Sequence, residues 1–397
     1  MFWKHTAAVL AVALGVAACR DATAPPPPPH DVDGLIGSPV PSGRYIVVFR
    51  NDVADPSSLA RQLVQAHGGS LSFTYTKAIK GFAATLPEPA ARALALNPLV
   101  ASVERDQVYH TDETQAMDEN GDPWGLDRID QQALPLSATY DYTATGAGVN
   151  VYIIDTGIWT AHPDFGGRAD NVYDALTFNL LGGVSGEDCN GHGTHVAGTI
   201  GGTTYGVAKG VSLHGVRVLS CTGVGFTSQI IAGLDWVSQN FVAPAVANMS
   251  LGGGKSDALD AATTSLWDAG VFVAVAAGNN DADACDASPA GASGAFTVAA
   301  SDNTDAKSSF SNSGPCVEAY APGSAIKSDY LLGLTMTLSG TSMASPHVAG
   351  VAALYKATVG DAASATVADW IIGNATTDVI TGNPDGTPNK LLYKSTL

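Results

Sequence analysis

Apolar and polar positions in the first third of the chain predict a small two-layer domain. Short runs with an apolar residue at every second position bracket two stretches with helical spacing of apolar residues. The predicted elements follow the order strand, helix, strand, strand, helix, strand, at residues 45–49, 58–67, 71–77, 82–86, 88–96 and 100–104. This βαββαβ order is typical of ferredoxin-like α+β domains. We therefore predict such a domain over residues 43–110.

A different pattern begins near residue 118 and predicts a larger α/β domain. Continuous apolar runs alternate with helical spacing, at 149–154, 192–201, 211–219, 227–240, 245–249, 257–269, 271–276 and 296–300. Strands that are apolar on both faces are typical of a parallel sheet covered by helices on both sides. We predict a three-layer α/β domain with a mainly parallel sheet over 118–397. The preceding residues 111–117 are polar and without periodicity, which predicts an exposed, cleavable linker.

The amino terminus predicts export from the cell. Lys4 precedes an apolar run at 6–18, which is too short for the roughly 20 residues that span a bilayer. Residues 1–19 are therefore expected to be a signal peptide. The small residues before Cys19 also resemble a bacterial lipobox, in which the cysteine carries a lipid, so the ordinary and the lipoprotein signal both stay open. Five consecutive prolines within the linker 20–42 predict a stiff spacer.

Charge and cysteine content narrow the possible partners. The 397 residues carry a net charge of −18, which repels phosphate backbones and disfavours nucleic acid while making calcium a plausible ligand.

Four cysteines follow Cys19, namely Cys189, Cys221, Cys285 and Cys316. None shows C-x-x-C spacing, and in an exported chain we expect disulfides, for which three pairings are open.

Three segments place a reactive side chain at the edge of a predicted element. Asp155 follows a buried strand, His192 begins a helix of small residues between glycines, and Ser342 begins a helix with Pro346 in its first turn. Taken singly, the acid is more often a turn residue and the serine more often a helix cap. His195 lacks an H-E-x-x-H context for zinc and is expected to be structural.

Together the three residues supply an acid, a base and a hydroxyl group in that order. A serine is a weak nucleophile until a histidine takes its proton, and a carboxylate must orient that histidine. The order Asp, His, Ser is that of subtilisin. Segments 190–198 and 340–350 resemble, almost residue for residue, the active-site signatures of subtilisin-like serine proteases (subtilases).

The resemblance covers about 118–390 and is greatest to the proteinase K branch. It implies that Asp155 orients His192, that His192 acts as general base and then acid, and that Ser342 attacks the scissile carbonyl without a catalytic cofactor. It also implies that Asn279, at the end of a strand pattern, donates to the oxyanion.

Substrate binding is implied by the same resemblance. A peptide would lie as an added strand between two glycine-rich segments, through main-chain bonds that favour broad specificity. The first pocket has small, uncharged walls, so we expect apolar or aromatic side chains at P1. The residues implied are Gly223, Val224, Gly225, Ser250, Leu251, Gly252, Gly253, Ala276, Ala277 and Gly278.

The resemblance to disulfide-bonded bacterial relatives implies the pairs Cys189–Cys221 and Cys285–Cys316. It also implies structural calcium at two places. One would use Ser293, Ala295 and Glu318, with Glu in place of the usual Asp; the other would use Asp127, Asp130 and Gln131. For the second, a solvated acidic turn is an equal alternative.

The amino-terminal domain resembles the inhibitory propeptide of this family, on the strands at 45–49 and 80–84. The whole chain is thus expected to be the precursor of a secreted, monomeric serine endopeptidase that acts on proteins and peptides and processes itself. If Cys19 carries a lipid, self-cleavage within 109–117 would release the enzyme from its membrane. Two alternatives stay open: a binding protein that keeps the fold without catalysis, and an ester hydrolase, although the serine lacks a G-x-S-x-G context.

Overall fold

The computed structural model of the protein describes residues 43–50, 52–76, 80–105, 113–116, 122–176 and 186–397. They fall into two compact units, one before and one after residue 110. The predicted signal, the lipobox cysteine and the proline spacer lie outside the described residues. Within those ranges, no helix combines the length and the hydrophobicity needed to cross a membrane.

The first unit is a four-stranded antiparallel sheet with two helices. Val47, Phe82 and Leu94 are fully buried in its core, and the strand order is β2-β3-β1-β4. The predicted βαββαβ order is confirmed. Its elements are β1 (Arg44–Phe49), α1 (Pro56–Ala66), β2 (Ser70–Tyr75), β3 (Gly81–Thr85), α2 (Glu88–Ala95) and β4 (Val100–Arg105).

The second unit contains the remaining elements. They are β5 (Glu113–Ala116), α3 (Trp124–Asp130), β6 (Thr139–Tyr142), β7 (Asn150–Asp155), β8 (Ala169–Asp174), α4 (His192–Gly201), β9 (Ser212–Arg217), α5 (Thr227–Asn240), β10 (Ala245–Met249), β11 (Gly253–Gly254), α6 (Asp257–Asp268), β12 (Phe272–Ala276), β13 (Ala287–Ser288), β14 (Phe296–Ser301), β15 (Ala319–Pro322), β16 (Ile326–Asp329), β17 (Thr335–Leu338), α7 (Thr341–Val359), α8 (Ser364–Asn374), β18 (Thr376–Thr377) and β19 (Lys390–Leu391). Short 3-10 turns occur at Pro163–Phe165, Ala284–Asp286 and Leu331–Gly333.

A nine-stranded sheet forms the middle layer of this unit, in the order β18-β19-β15-β14-β12-β10-β7-β9-β8. All neighbouring strands are parallel except β18 and β19. In β7, Val151 and Ile153 pack toward α4, α7 and α8, whereas Tyr152 and Ile154 pack toward α5 and α6. The predicted three-layer α/β fold is confirmed, and the double coverage explains why these strands are apolar throughout.

The reversal of strand order lies at β7. The chain first adds β8 and β9 on one side of β7, and then returns to add β10 on the other. Ligand sites of parallel sheets form at the carboxyl ends of strands at such a point. Asp155 is the last residue of β7, so the fold places a carboxylate there.

The stretch predicted as a processing linker contains a short strand. β5 pairs antiparallel with β6, with Glu113 opposite Tyr142 and Ala116 opposite Thr139. Four paired residues form only a small ladder, which local opening can expose to a protease.

The carboxyl groups of the partly exposed Asp164 and the buried Asp329 lie close together at the carboxyl-terminal end of α4, the helix that begins with His192. A Cβ atom built on Gly202 would lie 2.6 Å from Asp164 Oδ2 and 2.8 Å from Asp329 Oδ2. Asp329 is fully buried, and neither of its oxygens accepts a hydrogen bond from a fixed donor within the described ranges. His162 Nδ1 faces Asp329 Oδ1 at 3.5 Å. A protonated Asp329 can donate to Asp164, which keeps one of the two groups neutral.

Asp329 gives the stability of the fold a pH dependence. Burial and the neighbouring Asp164 raise the pKa of Asp329 to about 8, against Arg168 and Lys209, which act to lower it. This folded-state pKa lies above the ordinary value of 3.8. The stabilisation from protonated Asp329 is therefore complete below about pH 4, decreases as the pH rises, and is lost as the pH passes through about 8.

We expect Asp329→Asn, which stays neutral, to remove this dependence. In the inactive Ser342→Ala background, the Tm of the protein that keeps Asp329 should fall by several degrees between pH 6 and pH 9 relative to Asp329→Asn. Asp268→Asn, at an exposed carboxylate of α6, is the matched control and should behave like the protein that keeps Asp329. Parallel Tm curves with and without the Asp329→Asn substitution would show that this carboxyl group does not titrate in that range.

Candidate active site

The Asp155 carboxylate fixes the ring of His192. Its Oδ1 and Oδ2 atoms lie 2.8 and 3.0 Å from His192 Nδ1, and Oδ1 also accepts the Thr156 N–H at 2.7 Å. An ionised carboxylate only accepts, so Nδ1 carries the proton and Nε2 keeps a lone pair. Burial alone would lower the pKa of His192, but the charge and hydrogen bond of Asp155, with a smaller contribution from Asp188, raise it above the ordinary value.

Glycines allow the first turn of α4 to approach the end of β7. A Cβ atom on Gly193 would lie only 2.2 Å from the carbonyl oxygen of Gly157. Gly191, which precedes the helix, has φ +103°, in the left-handed region that favours glycine. Both positions therefore require glycine if His192 is to reach Asp155.

Asp188 organises the loop before His192 and is a residue that the sequence analysis missed. Its Oδ1 accepts the N–H of Gly191 at 2.9 Å, and its Oδ2 accepts the N–H and hydroxyl of Thr194 at 3.0 and 2.6 Å. The next residue, Cys189, forms a disulfide with Cys221, the pairing that the resemblance implied. An aspartate shortly before a helix of small residues is the signal that could have identified this cap.

Ser342 lies in the first turn of α7, beside Ser250. Pro346 has no N–H to donate to the Ser342 carbonyl four residues earlier, and the Ser250 hydroxyl donates to that carbonyl instead, at 2.7 Å. The Ser342 hydroxyl donates to the Ser250 carbonyl at 3.3 Å. Its hydrogen bonds within the described residues do not include one to His192, so the hydroxyl must release the Ser250 carbonyl before it can give its proton to that ring.

Asn279 presents its amide nitrogen beside the same helix. Its Oδ1 accepts the N–H and hydroxyl of Thr341 at 2.8 and 2.9 Å. With Oδ1 held there, the Nδ2 hydrogens point away from Thr341, and the side chain is exposed. The first N–H groups of α7 have no acceptor within the helix. The Asn279 side-chain amide and the first backbone N–H groups of α7 are therefore two kinds of hydrogen-bond donor beside the Ser342 hydroxyl.

All ten residues predicted to bind substrate line one or both of two cavities. A cavity of about 560 Å³ contains Ser342 and Asn279, and one of about 400 Å³ contains His192. Leu251 and Gly252 belong to both. Ala276, Ala277, Gly278 and Gly253 line the larger cavity, and Gly223, Val224, Gly225 and Ser250 line the smaller.

The larger cavity has a further wall that the sequence analysis missed. This wall is the segment after Asn279, and it brings Asp283 and Asp286 to the cavity. The prediction of an uncharged first pocket was based only on segments 251–253 and 276–278, whereas the whole cavity lining also contains these two acids. Acidic residues within seven positions of Asn279 were the available signal.

The first predicted calcium position contains one carboxylate. Glu318 Oε2 accepts the Thr297 N–H, and Thr297 follows Ala295 by two residues, so Glu318 lies near the expected carbonyl donors. Burial raises the pKa of Glu318 to about 7. A half-buried carboxylate of this kind, beside backbone carbonyls, suits a hard cation.

At the second position the donors are partly engaged with the protein. Asp127 Oδ1 and Gln131 Oε1 both accept the Ser137 N–H, at 3.0 and 3.1 Å, and Asp130 Oδ2 accepts the Asp141 N–H at 2.6 Å. Burial raises the pKa of Asp130 to about 7, with opposition from the Asp141 N–H. The donors are all oxygens, as calcium requires, but no group of three His, Cys, Asp or Glu side chains able to hold a metal occurs in the described part of the chain.

The remaining sequence predictions concern structure. Cys285 and Cys316 form the second disulfide, as the resemblance implied. His195 Nε2 lies 3.0 Å from the carbonyls of both Ile326 and Met336, and burial lowers its pKa to about 4. The neutral ring therefore binds the β16–β17 hairpin.

Comparison with known proteins matches both units. The subtilase family model matches residues 146–392, and the peptidase inhibitor I9 model matches residues 44–112. The chain is 47% identical over 384 residues to an extracellular serine proteinase of Thermus sp. (strain Rt41A), covering 90% of this chain and 92% of that protein. It is 40% identical over 387 residues to proteinase R of Parengyodontium album, covering 94% and 96%. The crystal structure of a cold adapted subtilisin-like serine proteinase is 50% identical, with a TM-score of 0.66 and coverage of 69% of this chain and 98% of that one.

Proposed function

Since the chain belongs to the subtilase family of serine proteases, we propose that it is a secreted, self-processing endopeptidase whose triad is Asp155, His192 and Ser342. The observation that carries this proposal is the pairing of the partly exposed His192 with the buried Asp155, which leaves His192 Nε2 with a lone pair on the cleft that Ser342 borders. Subtilases need no catalytic cofactor.

In the proposed reaction, His192 Nε2 takes the Ser342 proton as Oγ attacks the scissile carbonyl, and Asp155 stabilises the imidazolium. Asn279 Nδ2 and the Ser342 N–H donate to the oxyanion of the tetrahedral intermediate. His192 then gives the proton to the leaving amine, and water hydrolyses the acyl-enzyme by the same steps. Loss of one oxyanion donor costs on the order of 100- to 1,000-fold in kcat. Because the pKa of His192 is raised, the neutral ring that takes the proton forms at a higher pH than in an ordinary histidine.

The cavities support an extended peptide as substrate. The segments at 223–225 and 250–254 border the cleft, and backbone bonds to a peptide lying between them would be independent of its sequence. Broad specificity follows. Leu251, Ala276 and Ala277 give the larger cavity apolar walls, which favour apolar or aromatic P1 side chains.

We propose the following organisation of the precursor. Residues 1–19 direct export, 20–42 are a spacer, 43–110 form the inhibitory propeptide, 111–117 are the processing segment, and 118–397 form the protease. The I9 match supports an intramolecular inhibitor, and the name of the Thermus relative supports an extracellular enzyme. The mature enzyme would be a monomer. Lipidation of Cys19 would tether only the precursor, because cleavage within 109–117 separates Cys19 from Ser342.

Structural calcium would be held by Glu318 with the carbonyls of Ser293 and Ala295, or by Asp127, Asp130 and Gln131. The positive charge of calcium would compensate the negative charge of these carboxylates, whose ionised form burial disfavours. In the Ser342→Ala background, calcium at 100-fold above its Kd should stabilise the fold by about 2.7 kcal/mol relative to the protein in chelator.

Two neutral variants locate the calcium effect. Glu318→Gln should lose the Tm rise if the first position binds, and Asp130→Asn should lose it if the second does; Asp268→Asn should retain it. An unchanged Tm in calcium and in chelator would contradict both positions.

A fluorophosphonate probe distinguishes the proposal from its two alternatives. We expect the probe to label Ser342 in the processed enzyme, and we expect a peptide amide with phenylalanine at P1 to be turned over. Labelling with turnover of the matching ester alone would favour an ester hydrolase. No labelling of folded protein would favour a binding protein that keeps the fold.

A further inference from the structure

The larger cavity beside Ser342 carries an unbalanced negative charge. Of its lining residues only Asp283 and Asp286 are ionisable, so the lining contains two carboxylates and no cation. Leu251, Ala276 and Ala290 give the cavity apolar surface, and its other polar lining residues, such as Asn280 and Asn312, are uncharged. The cavity therefore combines apolar surface with an acidic margin, which is formed by Asp283 and Asp286.

The two carboxylates differ in what they already bind. Asp283 Oδ1 accepts the Cys285 N–H at 2.9 Å and caps the 3-10 turn Ala284–Asp286. Asp286 ends that turn and is exposed, and no donor is bonded to its side chain in the described part of the molecule. Asp286 is thus the carboxylate that can accept from a ligand without breaking an existing bond.

Neighbouring lysines do not cancel this charge. Lys255 reaches the same segment, where it donates to the Cys285 carbonyl at 3.1 Å, but it is paired with Asp260 at 2.8 Å. Lys307 is paired with Asp281 at 2.7 Å. Each lysine is matched by an acid outside the cavity lining.

We propose that this cavity accepts lysine and arginine side chains at P1, with Asp286 as the residue that recognises their charge and Asp283 as a second carboxylate beside it. The methylene groups of these side chains can lie along the apolar walls while the charged head reaches the acidic margin. This inference rests on the proposed function, in which the cavity receives the P1 side chain. It extends the expected apolar preference to cationic residues and excludes glutamate and aspartate.

Citrulline has nearly the shape of arginine without its charge, so a matched pair of peptides isolates the effect. For the processed wild type we expect kcat/KM for P1 arginine to exceed that for P1 citrulline by about fivefold, as for a solvent-accessible ion pair. P1 glutamate should be the poorest substrate. Raising the salt concentration from about 0.05 to 0.5 M should reduce the arginine-to-citrulline ratio toward one.

Asp286→Asn should bring the arginine-to-citrulline ratio to about one, whereas Asp268→Asn, which removes the same charge away from the cavity, should leave the ratio at the wild-type value. Because each ratio is internal to one protein, it does not depend on the amount of active enzyme, which fluorophosphonate titration reports separately. A wild-type ratio of one, or a ratio that Asp286→Asn leaves unchanged, overturns the inference. Failure of the proposed function itself would differ, since the P1 phenylalanine peptide would then not be cleaved at all.

Discussion

The Ser342→Ala precursor is expected to stay at full length and to digest no casein, whereas the wild-type precursor shortens near residue 115 and becomes active. The substitution removes the oxygen that forms the acyl-enzyme in the proposed mechanism, while α7 keeps its good helix formers. Removal of the nucleophile from such a triad lowers kcat by about 10^6-fold. Mass spectrometry of the chain over time, together with casein hydrolysis, measures both effects.

Two additions make this experiment decisive. Ser265→Ala changes an exposed serine on α6, whose hydroxyl donates to the Ala261 carbonyl of the same helix, and should process like the wild type. A trace of wild-type enzyme added to Ser342→Ala precursor should cut it within 109–117, which shows that the segment is cleavable and that the variant lacks only the catalyst. If wild type and Ser342→Ala behave alike, the triad assignment fails.

The sequence predicted those parts of the site that depend on local pattern. The apolar strand that ends in Asp155 is visible in the sequence, and so are the glycines on either side of His192. The fold places both residues at the reversal of strand order. The order of acid, base and hydroxyl then limited the chemistry. The disulfide pairs needed the family resemblance, because cysteine spacing alone left three pairings open.

Contacts between distant segments escaped the sequence analysis. Ser250 replaces the hydrogen bond that Pro346 cannot donate, and the two residues are far apart in the chain. Asp286 lines the cavity only because the turn Ala284–Asp286 folds back toward Ser342. Asp329 meets Asp164 across the end of α4. Hydrophobic periodicity describes which face of an element is buried, and it contains no information on which polar groups meet there.

The second large effect is expected from Asp155→Asn. The Asn Oδ1 can still accept the Thr156 N–H, which would turn the Nδ2 hydrogens toward His192 Nδ1. Nδ1 must then accept, so the ring proton moves to Nε2 and His192 can no longer take the Ser342 proton. A wrong tautomer of this kind costs about 10^4-fold in kcat. KM should change little, because Asp155 is buried beneath the ring and lines neither cavity.

The pH profile and a surface pair test this explanation. Without the Asp155 charge, burial acts on His192 with little opposition, so its pKa should fall below that of the wild type, which titration of the ring by NMR can follow. Asp170 pairs with His214 Nδ1 at 2.6 Å outside the cleft, and Asp170→Asn should leave kcat at the wild-type value. The orientation of His192 by Asp155 would be disproved by a kcat of Asp155→Asn within tenfold of the wild type. A large loss in kcat with an unchanged His192 pKa would instead mean that the carboxylate supports the loop rather than the charge on the ring.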